Sequence, residues 1–338
     1  MVVKQRHEVS QKVHKDVTLH PDKNAILWLF DSVHMDKNNG GSMKKIFFVL
    51  TMGLFCTQLF AVSGKMIQVK GSDTMVNTVQ VLAEKYMAKN PGKAVSVTGG
   101  GSGTGIAALL NGTCDIANSS RDIKDKEKTA AKSKVSEITI AIDGLSIIVN
   151  KSNKIASLTI EQLGKIFRGD VKNWKEVGGS DTLISLYGRQ PNSGTFDFFR
   201  EHVLKSDYSK QVREMNGNAQ IVESVKMTAS GIGYVGTGYT KNAKDFKVLS
   251  IAKAVGEKAY KPTYSDVEKK LYPIARPLYQ YISGDITEEV KNFVAYELSP
   301  EGQKIIEKEG FFPINDKQKE SNNSLLGIKA EVKAAKKR

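Results

Sequence analysis

Histidine and cysteine are nearly missing from this chain of 338 residues, and each absence removes a class of chemistry. Four of the five histidines, His7, His14, His20 and His34, fall before residue 43, which leaves His202 alone in the rest. Histidine metal sites and Ser-His-Asp catalysis with spare partners are therefore nearly excluded. The two cysteines are Cys56 and Cys114. Cys56 lies in an N-terminal apolar run, and Phe55 is too large a neighbour for a lipid-attachment site. With that run removed, Cys114 is the one remaining thiol and no intrachain disulfide can form. Long apolar stretches are lacking as well. The run Ile46 to Ala61 is short and polar sequence follows it. It is preceded by the basic Met43-Lys44-Lys45 and followed by the small residues Ala61, Ser63 and Gly64. That pattern is a secretory signal peptide over 43–63 and not a membrane span.

A signal starting at Met43 makes residues 1–42 an over-called start. They show no sustained periodicity, and the glycine codons of Asn39-Gly40-Gly41-Ser42 could spell a purine-rich ribosome-binding site. The expected compartment lies outside the cytoplasm. The first 63 residues carry 8 Lys+Arg and 5 Asp+Glu, which leaves 42 basic against 31 acidic groups and a net charge of +11. No aromatic-basic interleaving accompanies that excess, so it reads as a solvated basic surface rather than a nucleic-acid footprint. Such a field would help draw in a small anion. The length suits about two domains, and 40% apolar with 25% charged residues describes a globular chain.

What is present is a repeated unit: strand, polar turn, helix. Met66 to Lys70 reads as a strand, Gly71-Ser72-Asp73-Thr74 as a turn, and Met75, Val76, Val79, Leu82, Ala83, Tyr86 and Met87 as a helix face. Ala94 to Val97 leads into Thr98 to Gly105 and a helix from Ile106 to Leu110. Asp115 to Ala117 leads into Asn118-Ser119-Ser120-Arg121-Asp122 and a charged helix from Lys124. Leu183 to Tyr187 leads into Gly188 to Thr195 and a helix carrying Phe198, Phe199, Val203 and Leu204. In this last unit Ser193 and Thr195 stand where a helix starts, and Arg189 at the strand end. Backbone N–H groups, hydroxyls and the positive end of a helix dipole would all face something negative. An ordinary helix cap with a surface arginine explains the same residues. Four such turns at the carboxyl edge of a mostly parallel sheet would collect on one crevice.

Of two nucleotide readings one fails and the other is a weak match. Gly100 to Gly105 has the spacing of a phosphate-binding P-loop, but Ile106 replaces its lysine. Gly103 to Ala108 fits only a relaxed dinucleotide fingerprint. A nest of N–H groups for a free oxyanion needs neither feature. Further on, Glu137 to Asn150 is too long for one strand, and Asp143-Gly144 breaks it. Tyr272 to Ile282 looks like a return crossing between domains.

In order and spacing these segments, with Leu158 to Trp174 and Gly231 to Val235, resemble the phosphate-binding proteins of high-affinity phosphate ABC importers, from about residue 66 to 315. The resemblance implies a two-lobed α/β fold of the periplasmic-binding-protein type II class. Two mixed or parallel sheets with flanking helices would be joined by two crossing strands. Lobe I would be 64–143 with 272–317, lobe II 144–271, and 318–338 a frayed basic tail. It implies a monomer that closes on inorganic phosphate and hands it to a membrane permease, without catalytic activity, cofactor or metal. Carried over by motif, the ligands are Ser72 and Thr74, then Ser102, then Ser120, then Arg189, Ser193, Gly194 and Thr195. Many relatives have an aspartate where Ser120 stands, accepting the proton of hydrogen phosphate. Asp73 is the candidate replacement here, with capping of the first helix as its alternative. Arg121 is expected to pair with a carboxylate. A receptor for sulfate or molybdate and a secreted phosphatase remain as alternatives.

Overall fold

The computed structural model describes residues 65–241 and 243–328. The segments expected to be an over-called start, 1–42, and a signal peptide, 43–63, lie outside them, as do residues 329–338. No described helix is long and apolar enough to cross a membrane.

The repeated unit builds the first sheet. Strands β1 (Ile67–Gly71), β2 (Val95–Gly100) and β3 (Ile116–Ser119) are parallel, with β1 in the middle. Their connections are helices α1 (Val76–Lys89) and α2 (Ser102–Leu110), and α3 (Asp125–Ala130) follows β3. Parallel neighbours need such crossovers, because no tight turn can join them. Two long strands complete the sheet, β4 (Val135–Gly144) and β12 (Ala275–Ser283), in the order β2-β1-β3-β12-β4. β12 runs antiparallel to both of its neighbours. α1 presents Val79, Leu82, Ala83 and Tyr86 to a core that also holds Ile116, Ile138 and Phe293. Each large apolar side chain fully buried there contributes about 1.5–3 kcal/mol.

The second sheet has the order β10-β5-β9-β7-β8, formed by β5 (Ser146–Asn150), β7 (Ser185–Arg189), β8 (Arg213–Met215), β9 (Gly231–Val235) and β10 (Phe246–Val248). β7 is parallel to β8 and β9, whereas β5 is antiparallel to β9 and β10. A small parallel pair, β6 (Ser157–Thr159) with β11 (Ser250–Ala252), lies beside it. The helices of this lobe are α4 (Ile160–Arg168), α5 (Gly194–Phe199), α6 (Asn218–Met227) and α7 (Tyr264–Glu268). α5 runs on as a π-turn over Arg200–Leu204. Leu163, Phe167, Phe199 and Tyr234 form the centre of its core. The chain passes between the sheets twice, from β4 into β5 and back into β12. At that crossing Arg276 sits opposite Asp143 in the ladder.

Two expectations are corrected. α2 begins at Ser102 and not at Ile106. Gly103 and Gly105 belong to its first turn, where the helix packs close against β1. A Cβ on Gly105 would lie 2.4 Å from the Lys70 carbonyl oxygen. The tail from 318 is not frayed through its first part: after α8 (Glu288–Leu298) and α9 (Pro300–Lys308) comes α10 (Asp316–Leu326). Asn315 and Gln318 form its capping box. Asn322 bonds both Thr139 N and Thr139 O on β4, and Leu326 enters the core. Cys114 is buried beneath α2, and burial pushes its thiol up to about 11, with Asp115 adding to the shift.

Candidate anion-binding site

The four polar turns meet between the two sheets. Ser72 and Thr74 follow β1, Ser102 opens α2, Ser120 follows β3, and Arg189, Ser193, Gly194 and Thr195 span the end of β7 and the start of α5. The first and third turns are tied by the Ser72 N–H, which donates to the Asn118 carbonyl at 2.8 Å. Four hydroxyls form a connected set across the lobes. Thr74 Oγ1 and Thr195 Oγ1 are 3.0 Å apart, Ser120 Oγ and Thr195 Oγ1 3.5 Å, and Ser102 Oγ and Ser120 Oγ 3.3 Å. All four side chains are buried, as is Ser72, whose hydroxyl has no protein partner among the described residues. Gly194 packs directly on this set.

Ser193 takes the role that the alternative reading gave it. It is the N-cap of α5, its hydroxyl oxygen accepting from Thr195 N and Phe196 N. This uses two of the backbone donors expected to be free at that helix start. The Gly194 N–H and the hydroxyl hydrogens of Ser193 and Thr195 remain for a ligand.

Arg189 is 1% exposed. Its backbone N–H donates to Tyr234 Oη at 3.0 Å, and its Nη2 to the Asn216 carbonyl at 3.0 Å. Its Nε and Nη1 have no hydrogen-bond partner among the described residues. Burial lowers its pKa, opposed by the charge of Asp73, whose Oδ2 lies 3.4 Å from Nη1. Asp73 does not cap α1, whose N-cap Met75 makes no side-chain bond. It reaches across the cleft, and its Oδ2 accepts from Asn218 N and Nδ2 at 3.0 and 3.1 Å. Asp73 therefore stands with Arg189 and Asn218, beside the hydroxyl set and not inside it.

Sequence reasoning missed a second buried cation. Arg276, 3% exposed, places Nη2 at 2.9 Å from both Thr195 Oγ1 and Asp143 Oδ2, and its Nη1 donates to the Ser120 carbonyl at 2.8 Å. Because Thr195 Oγ1 accepts from Arg276, its own hydrogen is directed elsewhere, toward Thr74 or a ligand. Burial lowers the pKa of Arg276, Asp143 opposes this, and the charge of Arg189 lowers it further. The one available signal was a charged residue inside the otherwise apolar crossing strand. Asn192 was also missed; its Nδ2 donates to the Gly100 carbonyl at 2.9 Å, and its own carbonyl accepts from Gly103 N at 3.0 Å. Arg121 pairs with carboxylates as expected. It holds Glu127 through two bonds of 2.7 and 2.8 Å.

The charge balance decides what such a site can hold. Two buried guanidinium groups face one buried carboxylate, Asp143, and one partly exposed one, Asp73, at 22%. Asp143 is fully engaged by Arg276 and by Thr237 N and Oγ1. Buried N–H groups without acceptors are costly. Hydroxyls, an N–H at a helix start and a half-paired guanidinium together suit an oxyanion. They supply neither a metal-ligand cluster, none being found among the described residues, nor an imidazole beside the hydroxyls. His202 stacks on Phe198, with Nδ1 3.0 Å from the Phe198 carbonyl.

Two lobes joined by crossing strands, with an anion site of converging turns between them, define a substrate-binding protein. The comparisons agree. The family model described as a PBP superfamily domain matches residues 57–301. The phosphate-binding protein PstS of Pseudomonas aeruginosa is 32% identical over 288 residues, covering 79% of this chain and 88% of its own. PstS of Bacillus subtilis is 32% identical over 252 residues, covering 74% and 81%. A crystal structure of a putative phosphate ABC transporter substrate-binding protein with bound phosphate, from Clostridium perfringens, superposes with a TM-score of 0.69 at 29% identity, covering 74% of this chain and all of that one. The ABC-type phosphate transport receptor of Vibrio cholerae gives 0.61 at 31% identity, covering 73% of this chain and all of that one. The chain belongs to the PBP superfamily and, within it, to the family of the PstS phosphate-binding proteins.

Proposed function

We propose that this protein is an exported receptor that binds inorganic phosphate between its lobes and delivers it to the permease of an ABC importer. One observation carries the reading. Buried hydroxyls from turns of both lobes converge beside two buried arginines, and one of these keeps N–H groups without acceptors among the described residues. Ser72, Thr74, Ser102, Ser120, Arg189, Ser193, Gly194 and Thr195 are the ligand residues of this proposal, with Arg276 holding Thr195 in donor orientation. Hydrogen bonds to charged groups contribute about 1.5–3 kcal/mol each, and micromolar affinity needs only about −8 kcal/mol. Several of these donors reach that even after desolvation and lobe closure oppose them. Asp73 is the acid offered to the proton of hydrogen phosphate. The bonds that it accepts from the described residues end on Oδ2, so Oδ1 serves for this. The receptor works as a monomer outside the cytoplasmic membrane, and it turns over no substrate.

Calorimetry of the mature protein with phosphate, sulfate and molybdate tests the reading. Phosphate binding at micromolar or tighter affinity is expected, with the other two at least about a hundredfold weaker. Equal or tighter binding of sulfate or molybdate would assign the site to another oxyanion. Release of phosphate from a phosphate ester by the same sample would make the protein a phosphatase.

A further inference from the structure

We infer that Asp197 is the latch of the closed cleft: through Arg121 and Lys124 it fastens the third ligand turn to the fourth and sets how fast phosphate leaves. This rests on the phosphate reading above. Asp197 lies on α5, two residues beyond Thr195, and its side chain is 6% exposed. Its Oδ2 is 2.6 Å from Lys124 Nζ and 3.0 Å from Arg121 Nε. The Arg121 contact is ionic, since its N–H does not point at the oxygen. Both cations belong to the segment after β3, and Arg121 is the neighbour of Ser120. The latch thus closes one or two residues from hydroxyls proposed to hold the anion.

Its partners show why it acts on closure and not on folding. Among the described residues of its own lobe, the one partner of the Asp197 side chain is Arg200 Nη2, 3.5 Å from Oδ1. Arg121 is already neutralised on its own lobe by the two hydrogen bonds that it donates to Glu127, and burial works against its charge while Glu127 and Asp197 raise its pKa overall. The contacts from Asp197 to Arg121 and Lys124 therefore exist only while the lobes are together. When they part, Asp197 meets water and neither lobe loses an internal partner. The anion enters the open cleft before the latch forms, so the latch governs departure rather than arrival. A cavity of about 320 Å³, lined by Arg121, Lys124, Phe198 and His202 and also by Asp122, Asp125 and Glu201, borders the pair. Salt reaches it from that side and screens it in part.

Stopped-flow phosphate binding to Asp197→Asn, with urea denaturation of the ligand-free protein, tests the latch. Dissociation about ten- to a hundredfold faster is expected, with association within about twofold of wild type and an unchanged ligand-free unfolding midpoint. Glu201→Gln, which alters the same cavity without touching either cation, should behave as wild type. An unchanged dissociation rate overturns the latch, and so does a loss of affinity matched by a fall in ligand-free stability. Failure of wild type to bind phosphate would instead reject the functional reading. The latch would then be judged by inter-lobe distances between spin labels at Asn111→Cys and Lys210→Cys. A smaller closed population in Asp197→Asn than in wild type supports it, and equal populations overturn it.

Discussion

Arg276 faces Asp143 across the two strands that join the lobes, and its Nε and Nη2 both bond the same carboxylate oxygen, at 3.2 and 2.9 Å. Both side chains are buried, so neither charge can fall back on water. Removing one leaves the other uncompensated, at a cost of about 3–5 kcal/mol. Asp143→Leu is expected to lower unfolding free energy by about that amount in urea titration. A loss under about 1 kcal/mol would mean that water reaches Arg276.

Gly194 is a sharper probe of closure. A Cβ there would lie 2.3 Å from Ser102 Oγ and 2.9 Å from Ser120 Oγ, both on the other lobe. Overpacking of this kind costs about 1–3 kcal/mol, or roughly ten- to a hundredfold in affinity. Alanine also favours the helix by about 1 kcal/mol. Gly194→Ala should thus bind phosphate much more weakly while unfolding no earlier. Undiminished affinity in calorimetry would place the lobes differently in the bound protein.

Arg189→Met removes a buried charge whose pKa burial already lowers. Its partner Asp73 is partly exposed and keeps the bonds from Asn218, so losing Arg189 strands no fully buried charge and unfolding stability should fall little. Two lost charged hydrogen bonds at about 1.5–3 kcal/mol each reduce phosphate affinity by more than about a hundredfold. A variant that keeps its affinity would remove Arg189 from the site.

Asp73→Asn tests selection between phosphate and sulfate. A carboxylate can accept from protonated phosphate but repels fully ionised sulfate. The expected result is phosphate binding about tenfold weaker and a narrowed preference over sulfate, both read by competition titration. An unchanged preference would leave Asp73 only its bonds to Arg189 and Asn218.

Glu297, on α8, carries the pH prediction. It is fully buried, and its Oε1 accepts from Gln280 Nε2 at 3.2 Å while Oε2 has no partner among the described residues. Burial pushes its pKa well above the ordinary carboxyl value, although the Gln280 bond opposes this. A raised folded pKa means that the folded state holds the proton more tightly than the unfolded one. The stabilising effect is complete below the unfolded value, near 4.3, and is lost as pH rises toward the folded one. Glu297→Gln should therefore gain stability relative to wild type between pH 5 and pH 8, as urea midpoints would show. A gap constant with pH would mean that Glu297 is already ionised.

The turns of the site were legible because each combines local signals: an apolar strand, small polar residues, then a helical repeat. That grammar set the four turns on one crevice and put Ser193 and Thr195 at a helix start; choosing Ser72, Ser102 and Ser120 within their turns took the family resemblance. Arg276 did not follow the grammar, since its partner Asp143 is 133 residues away and nothing local separates a buried strand arginine from a surface one. The direction of Asp73 was hidden for the same reason: it is set by Asn218 and Arg189 of the other lobe. α10 was misread because its sequence is polar up to its last two residues, Leu325 and Leu326, and only Asn322 and Leu326 are buried on it.

Cys114 gives the molecule an unplanned practical property. It is the one thiol among the described residues, lies buried and is pushed up to about 11 by burial and by Asp115, so it stays protonated and out of reach of thiol-directed dyes. A single cysteine introduced at the exposed Pro191, beside the Asn192 contact with the opposite lobe, would then be the one position among the described residues that a fluorophore could find. No cysteine among those residues has to be removed before the protein can serve as an optical reporter of its own ligand.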